Sequence, residues 1–198
     1  TNVTITNNEL SGNYSTAVVG GGMYLNNSSP TMTNVIITDN TALDAGGGMY
    51  LYGSSPIMTN VTITNNELSK VLSDGGGMYL DNSNPTMTNV IITDNTALDG
   101  GGGLFLYNSS PSMTNLTISN NTAVSAGGGM VLINASPIMI NVIITKNKLS
   151  GDYWFRGGGM FISSSSPTMT NMTISGNTAA NAGLGGGMGL IYSNPTLT

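Results

Sequence analysis

Cysteine and histidine are both absent from the 198 residues, tryptophan occurs once, and only 7% of the residues are charged. Without cysteine the chain has no disulfides and no thiolate metal sites. Without histidine it loses the side chain that titrates near neutrality and most often serves as general base. Four basic against nine acidic residues leave a net charge of −5 and a pI near 4.1. That balance gives no electrostatic footprint for nucleic acid or anionic lipid. No apolar run is long enough to cross a bilayer and no secretory leader opens the sequence, so no direct membrane insertion is expected.

What the chain does have is repetition. Its unit reads GGGMYLxxSSPTMTNVTITNNTAxxA, and proline recurs at Pro30, Pro56, Pro85, Pro111, Pro137, Pro167 and Pro195, spaced by 26, 29, 26, 26, 30 and 28 residues. The extra residues fall between the asparagine that closes one unit and the glycine triplet that opens the next, so one corner of each unit tolerates loops. Thr4, Thr62, Thr117 and Thr173 alternate with Ile36, Ile91 and Ile143 at one place in the unit, the mark of paired duplication.

Each unit holds three short runs of alternating character: Met-Tyr-Leu after the glycines, Thr-Met-Thr after the proline, and Val-Thr-Ile-Thr after an asparagine. Period-two alternation marks strands, with Met23, Leu25, Met32, Val35 and Ile37 inward and Tyr24, Thr31, Thr33 and Ile36 outward. No two-residue turn joins the runs into hairpins, so the chain must keep winding one way. The predicted architecture is all-β: a single-stranded parallel β-helix over residues 1–198, with about seven coils of 26 residues and three short strands per coil. Coils about 4.8 Å apart make a rod on the order of 30 Å long. A leucine-rich horseshoe lacks its Leu and Asn spacing here, and a propeller blade needs about 40 residues per repeat.

Identical residues then stack in columns. One asparagine column contains Asn2, Asn34, Asn60, Asn89, Asn115, Asn141 and Asn171; the other contains Asn8, Asn40, Asn66, Asn95, Asn121, Asn147 and Asn177. A corner amide has both donor and acceptor and can bond backbone and neighbouring amides, so both columns are expected to be buried structural ladders. That expectation argues against glycan attachment at sequons such as Asn60-Val61-Thr62. Twelve methionines fall into two inward columns, where flexible thioethers fill a narrow core. The glycine triplets supply turn geometry, because no helix or Lys-Ser/Thr pair follows to make a phosphate loop.

The outward columns are the candidates for function. Tyr24, Tyr50, Tyr79, Phe105 and Phe161 form an expected exposed aromatic stripe, with Tyr52 and Tyr107 beside it. Such rings stack on sugars or pack against another protein, or simply reinforce the sheet. Tyr153, Trp154 and Phe155 occupy the most irregular insertion, next to Arg156 and near Lys146 and Lys148, and a protruding aromatic loop there would be a recognition element. Outward Thr-x-Thr pairs (Thr31 with Thr33, Thr86 with Thr88, Thr168 with Thr170) raise an ice-binding alternative, interrupted by Ile57, Ile138 and Ile140 and equally explained by strand preference.

Catalysis needs convergent titratable groups. Asp39 and Asp94 share a column but an asparagine-bearing coil lies between them, roughly 10 Å of separation by the strand spacing. Asp44, Asp74 and Asp99 line the insert corner, where solvated turn acids explain them better than a cation site. No catalytic residue, metal or cofactor is expected.

The motifs Gly46-Gly47-Gly48-Met49 and Ile37-Thr38-Asp39-Asn40 resemble the GGA(I/L/V) and FxxN repeats of chlamydial polymorphic outer membrane proteins, and the SSPTMTNVTITNNTA unit is similar to right-handed parallel β-helix repeats of bacterial surface proteins. The resemblance spans the whole chain. It implies a right-handed coil, secretion, and an extracellular, often adhesive role. Pectate lyases share the fold class, but their clustered acids and basic catalytic residue have no counterpart in this sequence. The chain opens and closes in mid-unit, so it is expected to be a piece of a longer secreted protein, with open coils that invite axial self-association. The expected function is a non-enzymatic surface adhesin, stalk or filament segment whose partner is a glycan or a cell-surface protein. A polysaccharide-binding or polysaccharide-cleaving β-helix and an ice binder are the alternatives.

Overall fold

The computed structural model describes residues 2–12, 17–151, 157–180 and 185–198. Three parallel sheets of seven strands each wrap one core. The first is built from the Met-Tyr-Leu runs, from Met23–Asn26 to Met188–Ile191; the second from the Thr-Met-Thr runs, from Thr31–Thr33 to Thr196–Leu197; the third from the Val-x-Ile runs, from Val3–Thr6 to Thr173–Ser175. Neighbours in each sheet are one repeat apart, and seven strands are separated by six full turns. Register is one-to-one: Met49 faces Met78, Tyr50 faces Tyr79, Met58 faces Met87 and Ile63 faces Ile92.

Alternation explains that register. A slip of one residue would turn the methionines outward and the threonines inward. Met49, Met58, Met78, Met87, Met130, Met139 and Met160 are fully buried, interleaved with Leu51, Leu80, Ile63 and Ile92. Each such side chain contributes roughly 1.5–3 kcal/mol of burial. No coil could collect that alone, because its flat layer of inward residues is closed off from water by the coils above and below.

The structure adds a fourth, two-residue ladder to the three strands expected per coil. It runs through Thr41–Ala42, Glu67–Leu68, Thr122–Ala123, Lys148–Leu149 and Thr178–Ala179, with Thr96 bridging as a single residue. Ala42, Leu68 and Ala97 form a small core beneath it. Two residues are too few to show a period, so this ladder is invisible to pattern reading.

Glycine is required where that ladder turns back to the first sheet. Gly46 has φ +63°, and a Cβ on Gly47 would lie 2.4 Å from the Gly76 carbonyl oxygen in the next coil. The triplet thus serves one turn and one close backbone contact.

The corners use three further devices. Asn40, Asn66, Asn95, Asn121 and Asn147 are buried, and each side-chain oxygen accepts from both the backbone N–H and the side-chain amide of the asparagine one coil earlier; for Asn95 these distances are 2.9 and 3.0 Å. Asn34, Asn60, Asn89, Asn115, Asn141 and Asn171 form a second ladder, whose amides donate in the opposite axial direction over 2.7–3.2 Å. This second ladder is exposed, not buried as its invariance suggested. Its residues sit at φ 52–56°, and asparagine holds each place because it tolerates the left-handed conformation. Serines before the prolines form the third device: the buried Ser54, Ser83, Ser109 and Ser165 hydroxyls donate to the carbonyl two residues back. Those same oxygens accept the backbone N–H of the preceding coil.

Candidate functional site

On the first sheet, residues that point away from the core form two adjacent columns. One runs Tyr24, Tyr50, Tyr79, Phe105, Val131, Phe161, Gly189; the other runs Asn26, Tyr52, Asp81, Tyr107, Ile133, Ser163, Ile191. Strand pairing stacks the rings. Tyr50 and Tyr79 lie 5.2 Å apart at 11°, Tyr79 and Phe105 4.9 Å apart at 8°, and Tyr24 tilts by 37° from Tyr50.

The expected exposed stripe is therefore only half right. Tyr24, Tyr52 and Tyr107 are 50%, 44% and 38% exposed, whereas Phe105 and Phe161 are buried at 6% with Ala126 and Val131 in a second small core outside the main one. The reason is that Ala126, just before the Gly127–Gly129 triplet, packs back over this face and touches the cluster directly. Covered rings are phenylalanine; open rings are tyrosine, whose hydroxyl keeps water or another partner.

The open end of the face lines a cleft of about 590 Å³ formed by Tyr24, Tyr50, Tyr52, Asn26, Leu10 and Val18. Burial, followed by the nearby Asp81 carboxylate, pushes the Tyr50 phenol up to about 12, and burial, followed by the Asp74 carboxylate, raises Tyr79. Both rings stay neutral donors at physiological pH. The Tyr50 hydroxyl makes a long 3.4 Å hydrogen bond to Asp81, whose other oxygen accepts from the Asn82 amide at 2.6 Å.

At the insert corner Asp44 and Asp74 are engaged in structure. Asp44 accepts the Val18 N–H at 2.8 Å and pairs with Lys70; burial raises its pKa, but these partners outweigh that and hold it below the usual carboxylate range. Asp74 accepts the Gly100 N–H at 2.8 Å. Such bonds tie the insert corner between coils and occupy the carboxylates that a cation would need. At the third-sheet corner, Asp39 and Asp94 flank Asn65 and Glu67 around a small polar groove. Asn65 donates to Asp39 at 3.3 Å, and Thr38 and Thr93 donate to the two aspartates. Among the described residues no group of three or more acidic side chains is placed to hold a metal.

Threonines on the second sheet do point outward, but Ile57, Ile138 and Ile140 stand exposed among them and break the array. Tyr153, Trp154, Phe155 and Arg156 lie outside the described residues. Among the described residues no helix is long and apolar enough to cross a membrane. Sequence reasoning missed Asp81, although one signal was present: it replaces the tyrosine found one coil before and one coil after it, at Tyr52 and Tyr107.

Three parallel sheets wound around a single core, with one strand of each per turn, define a parallel β-helix. Residues 1–149 match the family model described as right handed beta helix region, and the chain belongs to that family. No curated protein and no solved structure gives a significant match.

Proposed function

We propose that this chain is a non-enzymatic, carbohydrate-binding β-helix module of a secreted or cell-surface protein, with an adhesive role. The observation that carries this reading is the tyrosine cleft on the first sheet. Flat rings at Tyr24 and Tyr52 offer faces for sugar C–H groups, while Asn26 and the tyrosine hydroxyls offer the polar contacts that orient sugar hydroxyls. Strand pairing on adjacent coils fixes the backbone that carries these side chains, and Tyr24 packs against the Tyr50 ring, so binding would need little backbone reorganisation.

A surface role of the kind suggested by the GGGM and IxxN motifs fits an exterior made mostly of uncharged threonine, serine and asparagine. Polysaccharide cleavage is less well supported. Asp39 and Asp94 are two rungs apart, and each is bonded to a neighbouring threonine, away from the tyrosine cleft.

Affinity electrophoresis in gels containing polysaccharides tests the reading directly. Retardation by at least one polysaccharide, weakened about tenfold or more by Tyr24→Ala with Tyr52→Ala, is expected from losing two stacking faces at about 1 kcal/mol each. Unretarded migration in every gel, or retardation unchanged by the double variant, would overturn it. Release of reducing ends during the same incubation, lost in Asp94→Asn, would establish the enzymatic alternative instead.

A further inference from the structure

Within the aromatic face one position carries charge. Asp81 stands in the outer column between Tyr52 on the coil before and Tyr107 on the coil after, at the pairing register of both. Two residues earlier in its own strand Tyr79 points to the same side, and Tyr50 reaches the carboxylate by its hydroxyl. Four tyrosines thus surround one carboxylate. Among the described residues it forms no ion pair, and its two hydrogen bonds leave acceptor positions open.

We propose that Asp81, with Tyr50, Tyr52, Tyr79 and Tyr107, forms a binding site for an organic ammonium group, the charged nitrogen of an amino sugar. This rests on the carbohydrate-binding reading and narrows it to polymers that carry free amines.

The chemistry favours that occupant over others. A cation gains from the carboxylate and from the exposed rings of Tyr52 and Tyr107 together, while Tyr50 and Tyr79, whose faces are taken by ring stacking, border the site by their edges and hydroxyls. A calcium ion needs six to eight oxygens, whereas this site offers mainly ring carbon around one carboxylate. A uronate would bring a second negative charge to Asp81. The wider field points the same way: eight of the nine acids but only one of the four basic residues lie in residues 1–99, the part of the rod that holds Asp81, Tyr50, Tyr52 and Tyr79.

Calorimetric titration of the whole chain with glucosamine hexamer, its N-acetylated counterpart, oligogalacturonate and choline tests the assignment. The glucosamine hexamer is expected to bind about tenfold tighter than the N-acetylated one, within the range for a partly desolvated cation on aromatic faces. Asp81→Asn should abolish that preference and leave binding of the neutral hexamer in place, with an unchanged circular dichroism spectrum. Should that variant fail to fold, Tyr107→Ala, at an exposed ring, is expected to reduce the preference by itself. Equal binding of the charged and neutral hexamers, or a preference that survives Asp81→Asn, would overturn the ammonium site while leaving carbohydrate binding intact. Binding of choline alone, lost in Asp81→Asn, would keep the site and sink the carbohydrate reading. Binding of none of the four would sink both.

Discussion

Two asparagine ladders run the length of the rod, and the same side chain does different work in each. At the corner after the third sheet, Asn95 is fully buried; its amide donates to the carbonyls of Ile63 and Thr93 and to Asn121, while its oxygen receives two bonds from Asn66. At the corner between the second and third sheets, Asn60 is exposed, with one amide bond to Asn34 and one from Asn89. Identical columns in the sequence therefore separate into one that satisfies buried backbone and one that supplies a backbone conformation. The left-handed φ of Asn60 is what its corner needs; for Asn95 it is the hydrogen-bonding capacity.

Asn95→Ala tests the buried side of this contrast and carries the largest expected effect. It leaves the backbone N–H of Asn66 without an acceptor, takes one of three acceptors from the Asn66 amide, and strips a donor from the carbonyls of Ile63 and Thr93. At about 1–3 kcal/mol for each buried group left unpaired, the partly overlapping losses come to about 3–5 kcal/mol in denaturant unfolding. A loss below about 1 kcal/mol would mean that the stack relaxes enough to re-pair those groups, and the contrast would fail.

The exposed side is tested by Asn60→Ala and Asn60→Gly together. Alanine must adopt the left-handed conformation at about 1–2 kcal/mol, whereas glycine adopts it freely and should be close to neutral. A ladder held by amide bonding would lose stability equally in both variants. Exposure of these amides also reopens the Asn60-Val61-Thr62 sequon, since burial no longer stands against it.

The sequence showed the fold because a 26-residue period places like residues over like, and because Met32, Val35 and Ile37 alternate with Thr31, Thr33 and Ile36 as strands require. Period says which residues share a column but not what lies over the column. That is why Asn34 and Asn40 could not be told apart, and why Phe105 and Phe161 were expected in solvent: a repeat pattern does not say that Ala126 and Val131 pack against them. Of the candidate site, the tyrosine column was legible as alternation. Asp81 was not, since a lone carboxylate in a tyrosine column is also what an ordinary surface position looks like.

The serine corner combines the two behaviours and sharpens the comparison at the smallest scale. Its inner rungs are Ser54, Ser83, Ser109, Ser165 and Ser193, each accepting one backbone N–H, but alanine stands at position 135, fully buried. The Ser109 N–H therefore meets a methyl group where every equivalent N–H meets a hydroxyl. Ala135→Ser adds one oxygen at a register the neighbouring rungs already accommodate. That oxygen would receive the Ser109 N–H and donate to the Ile133 carbonyl, as Ser165 does to Ser163 at 2.7 Å. One completed pair is worth about 1 kcal/mol. For a chain of this size that raises the melting temperature by about 2–4 °C. The converse change, Ser165→Ala, removes the acceptor for the Ala135 N–H and should lower it by at least as much, because a group left unpaired in the interior costs more than a new pair gains. A melting temperature that falls in Ala135→Ser would show that this rung is closed by packing around the methyl, and that the inner serines, unlike the inner asparagines, are interchangeable with any small residue.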